Sequence, residues 1–336
     1  MSDAIWISEA EVVSLLSLPE AIDALRDGLR EEAAGRASNM VKTHASWANG
    51  STLHAIGAVF EGVGTVGTKT WAHTEGGAMP LLIMLDAATG AVQAIVEAFA
   101  LGQMRTGGIS GLGTDMLASK DARRMAMIGA GKQSLAQIAA VAAVRPLERI
   151  TVWSPTAAKR EALAAKAEDL LGIEAIAATT LDEALDAADI VTLATRARAP
   201  FLAADALPRG VHVNAVGAIT PERAEFEPAL LDRATVVAAD SVPQVRRLSR
   251  EFMDAFGADE ALWNRLVPLS RLVAENRGRP ADADLTLFKA MGMGISDLSL
   301  GIAILRRARA EGLGRPIPAI TRQAPRLTLR VPQEVI

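Results

Sequence analysis

The chain has 336 residues, half of them hydrophobic, and a formal charge of −4 from 35 Lys and Arg against 39 Asp and Glu. That much apolar sequence excludes a disordered chain, and so mild a charge argues against a nucleic-acid partner or an anionic membrane surface. Cysteine is absent, which removes disulfides, thiolate catalysis and Cys-ligated zinc. The charged start "MSDAIWISEAEVV" does not read as a signal peptide. Charges also break the alanine-rich runs before they reach bilayer length. The expectation is a cytoplasmic protein without a membrane partner.

Taken in order, Ile22, Leu25 and Leu29 recur at helical spacing among charges between Pro19 and Ala34, predicting an amphipathic helix. "VKTHASW", "STLHAIGAVF" and "TVGTKTWAH" are short β-prone runs divided by Gly, Asn and Ser. "PLLIMLDAATGAVQAIVEA" reads as a hairpin turning at Asp86–Gly90. Residues 40–98 are therefore expected to form a mostly antiparallel sheet. "LGQMRTGGISGLGTDMLAS" reads as a glycine-rich loop leading into a helix. Beyond residue 122, "RMAMIGA", "RITVWS", "IEAIAA", "DIVTLAT", "VHVNAVG" and "ATVVAAD" are apolar runs of strand length, the first four separated by alanine-rich helical segments. That alternation predicts a parallel, doubly wound sheet covered on both faces. "GISDLSLGIAILRRARAEG" predicts a helix that stops at glycine.

"MIGAGKQS" closes the first of these later strands and opens a helix. Strand, glycine turn and helix in that order form the dinucleotide fingerprint. Gly129 permits the tight turn and Gly131 lets the backbone approach a pyrophosphate. Ser134 is small where a third glycine is usual. Ala130, Lys132 and Gln133 complete the turn, and the N–H groups at the helix start suit phosphate. A plain βα turn is the bland alternative, which the repeating units disfavour. At the end of the second strand, "VWSPTAAKR" offers Ser154, Thr156, Lys159 and Arg160 and no carboxylate. Hydroxyls and cations there favour NADP(H) over NAD(H), although Lys159 and Arg160 are also consistent with a solvated helix face. Thr195, Val216 and Gly217, at the ends of later strands, are expected to border the same cofactor.

"VGTKTW", "DAATGAVQAIVEA", "LGQMRTGGISGLGTDMLA", "MIGAGKQSLAQ", "HVNAVGA" and "LTLFKAMGMGISD" occur in an order that resembles the ornithine cyclodeaminase/μ-crystallin family. The resemblance implies an α/β fold, a Rossmann-type doubly wound parallel sheet plus a smaller β-rich domain that dimerises. On that basis 1–114 with 295–336 form the substrate and dimerisation domain, and 115–294 the dinucleotide-binding domain of a homodimer. Lys69 takes the place of the family's active-site lysine. Arg105 takes that of an arginine holding the substrate carboxylate. Lys42 stands where relatives carry another arginine, an exchange that keeps the charge but loses the bidentate fork. In cyclodeaminases an aspartate closely follows "NAVG"; here Ile219 occupies that place and can neither give nor take a proton.

Of the four histidines, His44, His54 and His73 fall in the β-rich region. His44 and His73 each follow a candidate lysine and are candidates for the substrate pocket. His212 begins a predicted buried strand and reads as structural. The histidines show no metal-ligand spacing, so no metal is expected. The Met291–Gly294 run fits either a close approach to the cofactor or helix-start packing. "RRLSREF" (246–252), with Arg246 and Arg247, reads as a solvated helix face. Together these features point to an NAD(P)H-dependent reductase interconverting a small α-imino acid and an L-amino acid. A cyclodeaminase with bound NAD and an NADP(H)-binding protein without turnover are the alternatives.

Overall fold

The structure, a computed structural model, describes residues 4–318 and 320–327. The remaining residues of the expected 1–114 and 295–336 segments, namely 1–3, 319 and 328–336, lie outside the described residues. The first sheet uses β1 (Ile5–Ile7), β2 (Ala37–Asn39), β3 (Thr43–Trp47), β4 (Ser51–Phe60), β5 (Thr65–His73), β6 (Leu81–Asp86) and β7 (Val92–Glu97). The second uses β8 (Arg124–Ile128), β9 (Arg149–Trp153), β10 (Glu174–Ala177), β11 (Ile190–Leu193), β12 (Val211–Ala215), β13 (Val236–Ala239), β14 (Leu266–Pro268) and β15 (Leu285–Lys289). The short β16 (Arg315–Pro316) returns to pair with β1 at the edge of the first sheet.

The helices are α1 (Glu9–Leu15), α2 (Leu18–Ala33), α3 (Phe99–Leu117), α4 (Ser134–Ala142), α5 (Ala157–Leu171) and α6 (Leu181–Leu185). They continue as α7 (Ala229–Arg233), α8 (Val242–Leu248), α9 (Arg250–Phe256), α10 (Glu260–Trp263), α11 (Leu269–Ala274) and α12 (Gly294–Glu311). No described helix is long and apolar enough to cross a membrane.

The first sheet runs β16-β1-β7-β6-β5-β4-β2 with β3 on β4, and its β2–β7 pairs are antiparallel, as the β-prone runs and the hairpin turn predict. The second runs β10-β9-β8-β11-β12-β15-β13-β14, all parallel. Its chain leaves β8 toward β9 and β10, then returns to place β11 on the other side of β8. The strand order thus reverses between β8 and β11, where a doubly wound sheet opens its binding crevice. Sequence reading did not pick out β14 and β15, although β15 is buried at every position and sits between β12 and β13.

The predicted amphipathic helix is α2, entered through a capping box in which the Ser17 N–H donates to Glu20 at 2.8 Å. The late helix is α12, stopped by Gly312 in the left-handed region. One expectation fails: "LGQMRTGGISGLG" is no loop, because α3 is helical from Phe99 to Leu117. Its glycines serve contact rather than turning. A Cβ on Gly107 would lie 2.6 Å from the Ala136 carbonyl, and one on Gly111 2.8 Å from that of Ala140, so α4 packs against bare backbone. Gly108 and Gly113 receive Leu25 and the Phe288 ring in the same way. Burial on several sides outweighs the poor helix propensity of glycine. A second expectation is corrected in part over 246–252. The segment is two short helices meeting at Ser249; Arg246 and Arg247 are exposed, with Arg246 paired with Glu260, whereas Ser249, Glu251 and Phe252 are buried.

The α3–α4 contact gives a test in which two effects oppose. G107A gains about 1 kcal/mol of helix propensity but forces a Cβ into the Ala136 carbonyl, an overpacking cost of about 1–3 kcal/mol. We expect the clash to win and the thermal unfolding midpoint to fall; an unchanged or higher midpoint would show that the helices separate freely.

Candidate active site

A cavity of about 920 Å³ lies over the carboxyl ends of β8, β9, β11 and β12 and reaches the face of the first sheet. Among the residues lining it, Lys42, Arg105, Lys132, Lys159, Arg196 and Arg223 are cationic and none is Asp or Glu.

At one end the β8–α4 turn forms the wall. Gly129 has φ +114°, and a Cβ there would meet the Ala194 carbonyl at 2.5 Å, so only glycine lets β8 turn beside β11. A Cβ on Gly131 would meet nothing within 4 Å, which leaves its backbone open to the cavity. Ser134 does not line the cavity; it is buried, and its hydroxyl accepts the Gly131 N–H at 3.0 Å, bracing the turn. Ala130, Lys132 and Gln133 do line it. Bare backbone at a helix start is what a pyrophosphate fits. Past β9, Trp153, Ser154, Thr156 and Lys159 continue the wall, and Arg160 is occupied with the Ser154 carbonyl at 3.1 Å. Thr195, Val216 and Gly217 line the facing side.

At the other end, side chains from both sheets meet. Alternation along β5 places Thr65, Gly67 and Lys69 on its buried face. That face rests on α12, where a Cβ on Gly67 would touch Leu298 at 3.1 Å, and α12 itself starts with Gly294 pressed against the Gly57 carbonyl of β4. Lys69 therefore meets Asp297, one residue before Leu298, and its ammonium donates to that carboxylate. Arg105 reaches the same oxygen from α3, with Nε 3.2 Å from Asp297 Oδ1. The second oxygen of Asp297 is buried without a protein donor. Burial lowers the Lys69 pKa to about 8, Asp297 opposing the shift and Arg105 adding to it. Lys69 does not line the cavity; it lies behind Trp71, with its nitrogen 5.2 Å from that ring's centre. Lys42 lines the cavity and its pKa is also lowered, chiefly by burial and then by Arg105.

His73 lines the cavity, whereas His44 does not: it is exposed on β3 and stacks on His54 at 5.7 Å. The strand alternation that turns Lys69 inward does not bring His44 to the site. His212 is buried in β12 against Thr286 and Asn214, and burial lowers its pKa to about 3, so it is neutral and structural. Gly292, at φ +80°, lines the cavity beneath Arg105, while Gly294 packs the helix start. Ile219 lines the cavity. Among the described residues no three His, Asp or Glu gather to hold a metal ion. Sequence reasoning missed Asp297, Asp240 and Trp71. Asp240 is buried and accepts the Met291 and Gly292 N–H groups at 2.8 and 2.7 Å, fixing the backbone under Arg105. The available signal was a lone aspartate within a strongly apolar helix, "GISDLSLGIAIL", which a core does not accept without a partner.

Fold and site together define a two-sheet α/β protein with a dinucleotide-type crevice open to a buried cationic cluster. The chain belongs to the ornithine cyclodeaminase/mu-crystallin family, whose model matches residues 3–312. Delta(1)-pyrroline-2-carboxylate reductase of Bacillus cereus is 28% identical over 326 residues, covering 93% of this chain and 98% of that one. Iminosuccinate reductase of Paracoccus denitrificans is 27% identical over 320 residues, covering 93% and 98%. The solved Thermococcus litoralis Delta(1)-pyrroline-2-carboxylate reductase, in complex with NADH and L-proline, matches at TM-score 0.86 and 25% identity, over 93% of this chain and 100% of that one.

The two glycines of the β8–α4 turn should respond differently. G131A has room for its methyl group and is expected to keep the wild-type unfolding midpoint while losing affinity for a dinucleotide by about ten-fold or more. G129A, at positive φ, is expected to lower both. Unchanged affinity in G131A by calorimetric titration would remove the pyrophosphate from this turn.

Proposed function

We propose that this chain is an NAD(P)H-dependent imine reductase, equally an amino-acid dehydrogenase in reverse, interconverting an α-imino acid and an L-amino acid. The observation that carries it is one cleft free of lining acids, with a glycine turn suited to pyrophosphate at one end, Lys42 and Arg105 at the other, and Lys69 buried behind Trp71 beside them. A nicotinamide dinucleotide, when bound, supplies or takes the hydride. Arg105 and Lys42 bind the substrate carboxylate, Arg105 through its guanidinium and Lys42 as a point charge. Lys69, held by Asp297, gives a proton to the imine nitrogen during reduction and recovers it during oxidation. Trp71, Ile56, Ile109 and Ile219 supply apolar walls that keep water from the reacting carbon. Ile219 also counts against the cyclodeaminase reading, which needs an acid–base group there.

Ser154, Thr156 and Lys159 beside the β9 end, without a carboxylate, support NADP(H) as the preferred cofactor. We further take the protein to be a cytoplasmic homodimer joined through its β-rich unit, 1–114 with 295–336, where Trp47 of β3 and Leu53 of β4 are exposed. The residues 115–294 form the dinucleotide-binding unit in this reading.

Consumption of NADPH and NADH at their 340 nm absorbance, with cyclic imines such as pyrroline-2-carboxylate and with pyruvate or oxaloacetate plus ammonia, tests the activity. No oxidation with any imine would overturn it. The protonated Lys69 donates, so reduction should slow as pH rises through about 8, while amine oxidation should accelerate over the same interval. D297N removes the charge that holds the Lys69 pKa up, so both breakpoints should move to lower pH; a shift upward would contradict the pairing. K159A should weaken NADPH about ten-fold and leave NADH nearly unchanged, and an equal loss for both would point away from a 2′-phosphate site.

A further inference from the structure

The half of the cleft beyond the glycine turn is shaped by a carboxylate that does not line it. Glu225 is fully buried. Its Oε1 accepts the Thr195 N–H at 2.6 Å, and its Oε2 accepts those of Gly217 and Ala218 at 2.8 and 3.0 Å. Thr195 and Gly217 are cleft wall, lying just past the ends of β11 and β12. Past the strand ends the backbone runs out of ladder partners, and one carboxylate here serves both segments, taking the Thr195 and Ala218 N–H groups and sharing that of Gly217 with the Leu193 carbonyl at 3.2 Å. Gly217 cannot be replaced in this arrangement, because a Cβ would fall 2.3 Å from the Thr195 carbonyl and 2.4 Å from Glu225 itself.

A buried carboxylate needs compensation. Lys289, the last residue of β15, supplies it. The Lys289 ammonium donates to the Ala218 carbonyl at 2.7 Å and lies 3.4 Å from Glu251, and Glu251 in turn accepts the Glu225 N–H at 3.1 Å and the Ser249 hydroxyl at 2.7 Å. All three charged side chains are buried; the ammonium pairs with Glu251, and its charge opposes the upward push that burial gives the Glu225 pKa. The network thus joins the ends of the three neighbouring strands β11, β12 and β15. Nothing comparable lies under the β8 turn, whose shape comes from Gly129 and Ser134.

We propose that Glu225 is a positioning residue that holds the nicotinamide half of the cleft in its binding shape before the cofactor arrives. The inference rests on the cofactor reading above. Adenine and pyrophosphate belong to the β9 and β8 side of the strand reversal, so the nicotinamide falls to the β11 and β12 side. Glutamine cannot replace Glu225, since its amide has one acceptor oxygen. Either Thr195, or Gly217 with Ala218, would then face an NH2 group.

The test is calorimetric titration of purified E225Q and wild type with NADPH or NADH, whichever binds the wild type, and with ADP-ribose or its 2′-phosphate, which lack the nicotinamide. We expect E225Q to lose about ten-fold in dinucleotide affinity, the scale of a lost charge-assisted hydrogen bond, and to hold ADP-ribose affinity within about two-fold. Unchanged dinucleotide affinity, or a parallel fall for both ligands, would overturn the inference. A wild type that binds neither dinucleotide would overturn the cofactor reading itself, and this inference with it. Hydrogen exchange on the wild type decides the matter if E225Q does not fold. The amides of Thr195, Gly217 and Ala218 should be protected before cofactor is added; exchange at exposed-loop rates until binding would refute preorganisation.

Discussion

One buried carboxylate, Asp297, holds two cations from different parts of the chain, and much of the structure exists to bring them there. Lys69 arrives on β5, Arg105 on α3 and the aspartate on α12. Leaving any one of these charges buried alone costs about 3–5 kcal/mol, so the three elements must close on each other together. Their approach depends on absent side chains: Gly57, Gly67 and Gly294 let α12 lie on the first sheet, and the glycine faces of α3 let it sit against α2, α4 and β15. The tightness of the packing and the chemistry of the site are therefore one constraint. A side chain at any of these glycines would move a charge.

Electrostatics sharpen the picture. The whole chain carries −4, yet the charged side chains lining the cleft are cations, with no Asp or Glu among them. Its acids are spent elsewhere: Asp115 on Arg26, Lys120 and Arg145, Asp284 on Arg233, Glu20 on Arg307. The buried carboxylates that do stand near the cleft, Asp240, Glu225 and Asp297, are turned to backbone N–H groups or to lysine and arginine rather than into the cavity. A concave site with one sign of charge and low-dielectric walls attracts anions, and a dinucleotide and an imino acid are both anionic. Burial, with Arg105 adding to it and Asp297 opposing it, lowers the Lys69 pKa toward the range where it can exchange a proton.

The family relatives share this architecture at 25–28% identity, which shows how little of the sequence the fold requires. In the proposed reading the individual chemistry rests on a few positions: Ile219 counts against an aspartate acting on an amine, and Lys42 offers a point charge to the carboxylate. Such single exchanges separate activities carried on one scaffold.

The sequence by itself determined what depends on local order. Short β-prone runs divided by Gly, Asn and Ser and a hairpin turn marked β3 to β7, apolar runs marked β8 to β13, and the glycine turn after β8 marked the crevice. These signals survive because neighbouring residues set them. Lys42, Arg105 and the glycine turn were legible for the same reason, each sitting in a short motif. Tertiary structure decided the rest. Only packing shows that the glycines of α3 belong to a helix, since isolated propensity favours a loop. Only strand pairing turns His73 toward the cavity and leaves His44 outside. Asp297 stands 228 positions after Lys69, and Glu225 joins Gly217, eight positions away, to Thr195, 30 positions away on another strand end. A carboxylate becomes a positioning group through its partners, and the fold alone supplies those.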